Sequence, residues 1–367
     1  MKKLGFGCMR LPVIGGNQQN IDIETFKKMV DVYMERGFTY FDTAYVYHGG
    51  KSEEAVRKAV VERYPRDSFT VTTKLFMFGV NKKEDMERMF SEQLARLGVE
   101  YIDYYWLHAL NAASYEKAQR LDCFGFISRK KAEGKIKHIG FSFHDSPELL
   151  ERILSDHPET EYVQLQINYV DWLSPTIAAK KCYDIATAHG KPVIVMEPLK
   201  GGALVNVPQP VKDMFSAHEP ALSVASWGIR YAASLPNVMT VLSGMSNLQQ
   251  VEDNTAYMQN FVPLTAEEDE LCEHAAKIIN ENTPIPCTAC RYCVDGCPRH
   301  IAIPEYFAIY NEHRRMGGYS NGMVYYANLT ATHGKASDCI KCGKCERICP
   351  QHLPIRKYLE DVAKTFE

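Results

Sequence analysis

The 367-residue chain contains no apolar run approaching the roughly 20 residues that a membrane-spanning helix needs. It has no large excess of either charge. The 42 Lys and Arg against 45 Asp and Glu leave a net charge of −3, which argues against a general nucleic-acid binder, because that would need a strongly basic face. No export signal is legible at the start: Met1-Lys2-Lys3-Leu4 carries two lysines, but Arg10 and Pro12 break the apolar stretch early. No segment is of low complexity. No glycine-rich dinucleotide fingerprint follows the first apolar run, where Gly5-Phe6-Gly7-Cys8 stands instead. These absences predict a cytoplasmic globular protein that meets small molecules rather than membranes or nucleic acid.

Cysteine is plentiful, with twelve residues, but its distribution does not suit a disulfide scaffold. Cys8, Cys123, Cys182 and Cys272 are scattered and read as inert core thiols. The other eight form two tight clusters near the C-terminus. Short-spaced cysteines in a chain without an export signal point to metal in a reducing compartment.

Eight β-rich runs recur: Leu4–Cys8, Tyr40–Ala44, Phe69–Lys74, Ile102–His108, Ile136–Ser142, Tyr162–Asn168, Pro192–Glu197 and Val238–Gly244. Helical periodicity fills most of the intervals, at Glu24–Arg36, Ser52–Arg63, Lys83–Leu97, Pro147–Leu154, Pro175–His189, Pro220–Ala233 and Leu248–Met258. Strands alternating with helices imply parallel pairing, and eight such units predict an α/β fold, a closed (β/α)8 barrel over residues 1–262. Residues 263–283 read as a linker helix, with Thr265 as N-cap and Glu268 closing a capping box. A break at Pro284-Ile285-Pro286 opens a small C-terminal domain, 284–367, in which a helical stretch around Pro304–Arg315 separates two cysteine motifs that form a weak internal repeat.

The second, third and fourth runs end in Asp42, Lys74 and His108, and Tyr47 stands just beyond Asp42. In a parallel barrel all four meet at the C-terminal face of the strands. A lysine beside a phenol lowers its pKa, and an aspartate holds the lysine charged and in place. A phenol so tuned exchanges protons with a developing alkoxide, and a nearby histidine orients a carbonyl oxygen. Tyr45, His48, Trp106, Tyr169 and Trp172 fall near strand ends as further pocket candidates, with Phe76-Met77-Phe78 as an apolar rim.

On Phe41-Asp42-Thr43-Ala44-x-x-Tyr47, Gly49-Gly50-Lys51-Ser52-Glu53, Thr72-Thr73-Lys74 and Tyr101-Ile102-Asp103-Tyr104-Tyr105-Trp106-Leu107-His108, the chain resembles the aldo-keto reductases over about residues 1–260. The resemblance implies a (β/α)8 barrel, NAD(P)H bound without a Rossmann motif, and interconversion of a carbonyl and an alcohol. Tyr47 is then the general acid/base, Asp42 and Lys74 tune it, and His108 orients the substrate. The resemblance also implies that Ser142 and Gln164 hold the nicotinamide carboxamide. Met196 stands where the family often stacks a tyrosine. Pro198, Leu199, Gly201, Ser243, Gly244, Asn247, Gln250 and Asn254 are the remaining cofactor positions. Backbone N–H groups at the helix start after Asn247 suit a phosphate. Gly244 and Gln250 replace the usual cations there, so NADH is as plausible as NADPH.

The spacing Cys287-x-x-Cys290-x-x-Cys293-x-x-x-Cys297-Pro298 recurs as Cys339-x-x-Cys342-x-x-Cys345-x-x-x-Cys349-Pro350. It is the spacing of bacterial two-cluster ferredoxins, in which the fourth cysteine turns to the other cluster. Cys287, Cys290, Cys293 and Cys349 are therefore assigned to one [4Fe–4S] centre, and Cys339, Cys342, Cys345 and Cys297 to a second. Zinc sites rarely use four cysteines at this spacing with a trailing proline. The clusters either staple the small domain or carry electrons. A second reading has them serve a redox partner protein or a flavin, for which no motif is seen. A third makes the chain a non-catalytic nucleotide-sensing subunit.

Overall fold

The computed structural model describes residues 2–175, 177–281, 284–285, 287, 291–315, 320–349 and 353–367. Strands β1 (Leu4–Gly7), β2 (Tyr40–Asp42), β3 (Thr70–Leu75), β4 (Ile102–Leu110), β5 (Ile136–Phe143), β6 (Tyr162–Gln166), β7 (Val193–Met196) and β8 (Val238–Gly244) close into one barrel in chain order, every pairing parallel. The expected strand runs agree within a few residues. No described helix is long and apolar enough to cross a membrane.

The outer layer comprises α1 (Ile23–Glu35), α2 (Ser52–Val56, continued by a π-helical turn), α3 (Lys83–Leu97), α4 (Ala112–Leu121), α5 (Cys123–Ala132), α6 (Pro147–Asp156), α7 (Ala179–Ala188), α8 (Gln209–His218), α9 (Val224–Ser234) and α10 (Leu248–Gln259). Two connections hold helices that periodicity did not reveal. Between β4 and β5 lie two short helices, α4 and α5, joined at Asp122 with φ 59°, and this left-handed residue breaks the helical phase. Before α9 lies α8, with Pro210 in its first turn.

The barrel interior away from the mouth is filled by Tyr40, Tyr104, Trp106 and Ile194, and Leu242 packs with them while also lining the cavities at the mouth. Trp106 is therefore core and not a pocket residue. A Cβ on Gly140 would stand 2.4 Å from its indole and 2.3 Å from the Tyr162 carbonyl, so only glycine fits beside it.

The next helix, α11 (Ala266–Glu281), opens with the expected box: Thr265 N donates to Glu268 Oε2 at 2.9 Å and Glu268 N to Thr265 Oγ1 at 3.2 Å. It does more than link. Cys272, Ala275 and Ile279 are buried against Val211, Phe215, Trp227 and Tyr231, which makes the helix part of the barrel's outer layer.

The C-terminal domain holds α12 (Tyr292–Asp295), α13 (Ile303–Arg315), α14 (Gly322–Thr330), α15 (Lys344–Ile348) and α16 (Ile355–Phe366). Tyr306, Phe307, Ile309, Leu359, Val362 and Phe366 form its core. The sequence repeat has a structural counterpart. Both motif helices begin at a left-handed residue, Arg291 (φ 66°) before α12 and Gly343 (φ 70°) before α15, and the two helices pack together. Cys8, Cys123, Cys182 and Cys272 are all buried, and burial pushes each thiol upward.

Candidate active site and thiol-lined cavity

Lys74 is wholly buried on β3, and its Nζ donates to Asp42 Oδ1 at 2.6 Å and to the Thr43 carbonyl at 2.7 Å. The pairing follows from register: Asp42 ends β2 beside Thr72 of β3, and Lys74 is two residues further up the same face. Burial pulls the ammonium's pKa down, but the Asp42 charge and bonds to Asp42 and Tyr47 outweigh it, and the net shift is upward. The Asp42 carboxyl is pushed up by burial, against the pull of Lys74.

The Tyr47 ring lies over this pair, its centroid 4.9 Å from Lys74 Nζ. Its pKa corrects the sequence reading. Lys74 does pull the phenol down, but burial is the larger effect, Asp42 adds to it, and the net shift is upward. Tyr47 is thus a protonated phenol at neutral pH, held next to a cation that stabilises the phenolate once the proton has left. It lines the cavity and is only partly covered.

His108 stands edge-on to Tyr47, ring centroids 6.0 Å apart at 79°. It occupies a β4 irregularity: register with β5 shifts between Leu107 and Leu110, and Ala109 adopts φ 56°. Burial, then the Lys74 charge, then His144 depress its pKa well below the usual value, so the imidazole is neutral. Its Nδ1 is buried with no hydrogen-bond partner among the described residues.

Asp42, Tyr47 and His108 line one cavity of about 470 Å³ at the C-terminal mouth of the barrel, with Ser142, Gln164, Met196 and Gly244. Gln164 is buried and turns toward the same cavity as a lining residue. Ser142 Oγ accepts from Ala109 N at 2.7 Å and keeps its own proton to donate. A second cavity of about 620 Å³ adjoins, sharing Arg10, Glu197, Leu242 and Gly244, and is lined by Pro198, Leu199, Gly201, Ser243, Gln250 and Asn254. Gly201 (φ 66°) and Gly202 (φ 99°) make the turn along its edge. Asn254 donates to Ser243 Oγ at 2.9 Å and is oriented by the Tyr257 hydroxyl at 2.6 Å. Asn247 does not line the cavity; it caps α10, accepting from Gln250 N at 2.9 Å.

Several remaining candidates fall elsewhere. Tyr45 donates to Glu92 and stacks on Phe76 outside the cavity. Tyr169 and Trp172 line a different hollow, beside α11 and α13. His48 borders the cavity but is committed, accepting from Leu11 N and lying 2.6 Å from the Gln18 carbonyl. Phe76 and Phe78 do form an apolar rim, whereas Met77 is buried. Sequence reasoning missed Arg10, His144, Glu197 and Lys212. Arg10 and His144 come just past β1 and β5, as Tyr47 follows β2, and that position was the available signal. Lys212, on α8, carried none, because that helix was not foreseen.

In the C-terminal domain, Cys297, Cys339, Cys342 and Cys345 line one small cavity. Cys297 comes from the first motif and the other three from the second. No three His, Cys, Asp or Glu among the described residues converge tightly enough to hold a single ion. Thiols ringing a hollow suit a multi-iron cluster better than one tetrahedral zinc. Cys293 and Cys349 are buried, Cys287 is partly so, and Cys290 lies outside the described residues.

The model of the aldo/keto reductase family matches residues 3–277, and that of a 4Fe-4S dicluster domain matches residues 286–354. A probable aldo-keto reductase of Glycine max is 31% identical over 183 residues, 47% of this chain and 49% of that protein, so the chain spans about half the length of this relative. An aldo-keto reductase from Bacillus halodurans, solved in its holo form, superposes with a TM-score of 0.59 at 26% identity over 75% of this chain and 92% of that one. One from Klebsiella pneumoniae, solved with NADPH, shares the fold with a TM-score of 0.58 at 21% identity, covering 74% and 90%. With the closed parallel barrel and the cysteine repeat, these matches establish that the chain belongs to the aldo/keto reductase family and carries a 4Fe–4S dicluster domain after the barrel.

Proposed function

We propose that the chain interconverts a carbonyl and an alcohol with a nicotinamide cofactor, and that its C-terminal domain holds two [4Fe–4S] clusters. The nicotinamide, when bound, supplies or accepts the hydride. The carbonyl oxygen lies between the Tyr47 hydroxyl and the neutral His108 imidazole, which orients it by a hydrogen bond. Tyr47 gives that oxygen its proton, and the Lys74 ammonium, kept charged by Asp42, stabilises the phenolate left behind. In the reverse direction the phenolate takes the proton from the alcohol. Ser142 and Gln164 hold the carboxamide, and the second cavity takes the nucleotide's phosphates.

The observation that carries this reading is a wholly buried lysine bonded to Asp42 with a cavity-lining phenol over its ammonium. A structural ion pair would not require that phenol to face a hollow. The test is Tyr47→Phe, assayed by nucleotide oxidation over a panel of aldehydes and ketones. Turnover falls by about 100-fold or more while nucleotide binding is kept. Unchanged turnover would end the proposal.

A further inference from the structure

The mouth of the barrel is not bounded by barrel residues alone. Asn321 and Val324, in the cysteine-bearing domain, line the same cavity as Tyr47 and His108. Helix α14 is tied there to two loops of the barrel. Asn328 Oδ1 accepts from Asn111 Nδ2 at 2.8 Å, and Asn328 Nδ2 donates to the His144 carbonyl at 3.1 Å. One side chain thus ties together the loops that follow β4 and β5, the strands that carry His108 and Ser142. Tyr325 sets its ring edge against His144, centroids 6.2 Å apart.

Asn321 occupies the N-cap position of α14, where an asparagine side chain ordinarily accepts from the first helical turn. It makes no such bond. Its Nδ2 instead reaches Gln166 Oε1 at the end of β6, 3.3 Å away. The helix start has no room to retreat, since a Cβ on Gly322 would stand 3.1 Å from Phe366 and 3.2 Å from Ile309 in the domain's core.

The same contact opens a buried polar chain. Gln166 Nε2 donates to Asp171 at 2.9 Å, and Asp171 accepts twice from Lys200 Nζ, at 2.7 and 2.8 Å. Lys200 also pairs with Glu312 of α13. The chain leaves the C-terminal domain at Asn321 and returns to it at Glu312. On the way it passes through the loop after β7, whose Pro198, Leu199 and Gly201 border the second cavity. The pocket wall and the loop beside the cofactor groove are positioned together.

We propose that the C-terminal domain completes the carbonyl pocket, with Val324 and Asn321 as its specificity-determining residues, a role that rests on the carbonyl reading above. Val324 lines this cavity together with Phe76 and Phe78 and adds to its apolar surface, and Asn321 adds one amide. The pocket takes a mainly apolar carbonyl compound carrying one hydrogen-bonding substituent, and Val324 limits its width. Asn328 and Glu312 act as positioning residues. The domain is then required for substrate selection whether or not its clusters pass electrons.

The test uses full-length, iron-loaded protein carrying Val324→Phe, Val324→Ala or Asn321→Ala, with benzaldehyde and propanal as probes. The ratio of kcat/KM for benzaldehyde to that for propanal falls about 10-fold in Val324→Phe and rises in Val324→Ala. Iron content and NADPH affinity stay at wild-type values. An unchanged ratio in both Val324 variants at full iron content overturns the proposal. If Val324→Phe does not fold, Val324→Ala carries the comparison and a ratio that does not rise overturns the proposal; Asn321→Ala is read with 4-hydroxybenzaldehyde, whose kcat/KM relative to benzaldehyde falls if Asn321 meets the substituent and is unchanged if it does not. Wild-type protein that binds NADPH but reduces neither aldehyde would sink the carbonyl reading instead. The wall is then read by calorimetry of benzaldehyde binding to the NADPH-loaded protein. An affinity about 10-fold weaker in Val324→Phe supports it, and equal affinity, or no binding to wild type, overturns it.

Discussion

Lys74 Nζ lies 2.6 Å from Asp42 Oδ1 and 4.9 Å from the centroid of the Tyr47 ring, so one buried ammonium serves an acid on one side and a phenol on the other. Removing it affects stability and turnover by separate routes. Lys74→Met leaves Asp42 buried without its counter-charge, and the expected loss is about 3–5 kcal/mol. Asp42→Asn combined with Lys74→Met removes both charges, and most of that stability returns. Turnover does not, because the phenolate still has no cation beside it. Denaturant unfolding and nucleotide oxidation on the two variants check this; activity recovering along with stability would mean that Lys74 is only structural.

Acid should weaken the fold through the pocket histidines. Burial holds His108 well below, and His144 down at about 4 against, the ordinary 6.5. Below pH 6.5 the unfolded chain takes up protons that these folded imidazoles refuse, so stability falls with falling pH. The decline is on the order of 1 kcal/mol per pH unit for each group and, for His144, continues to about pH 4. Melting temperatures between pH 7 and pH 5 at constant iron content report it. His144→Gln should give a shallower decline, and a curve parallel to wild type would count against this origin.

What was legible in the sequence was local or periodic. Thr265 and Glu268 announce their capping box because all its atoms lie within one turn. Asp42, Lys74 and His108 were found because each ends an apolar run, and chain-order closure sets those ends side by side. What depended on distant partners was not legible. Asn328 meets Asn111 from 217 residues away, and Asn321 meets Gln166 from 155 away. The direction of the Tyr47 shift also escaped, because the sequence shows the neighbouring lysine but not how much water is excluded. Arg10 interrupts an apolar stretch, and its place just past the end of β1 is what marks it as a residue of the mouth.

Nucleotide preference turns on the cations that line the second cavity. Gly244 and Gln250 offer no cation, yet Arg10 and the half-buried Lys212 line the same cavity. Arg10 faces Glu197 at 3.8 Å, so part of its charge is already engaged. Lys212 is therefore the better candidate for a 2′-phosphate. Lys212→Gln should raise KM for NADPH about 10-fold and leave KM for NADH nearly unchanged, the loss expected for one charged hydrogen bond. Equal changes for both nucleotides would place Lys212 outside that contact.

The cysteine cavity makes a prediction that counting motifs in order would not. Grouped by position in the chain, Cys297 belongs with Cys287, Cys290 and Cys293. Grouped by the hollow it lines, it belongs with Cys339, Cys342 and Cys345. Replacing a thiolate with an alcohol weakens one corner of one cluster, so Cys297→Ser and Cys345→Ser should damage the same centre although they lie in different motifs. Iron per chain falls from about eight to about four in each variant, and the same reduced-cluster resonance disappears from both electron paramagnetic resonance spectra. Cys287→Ser and Cys349→Ser should remove the other resonance. The double variant Cys297→Ser with Cys345→Ser should then retain about four irons, because both changes fall on one cluster. A double variant stripped of nearly all iron would show that the fourth ligand of each centre comes from its own motif.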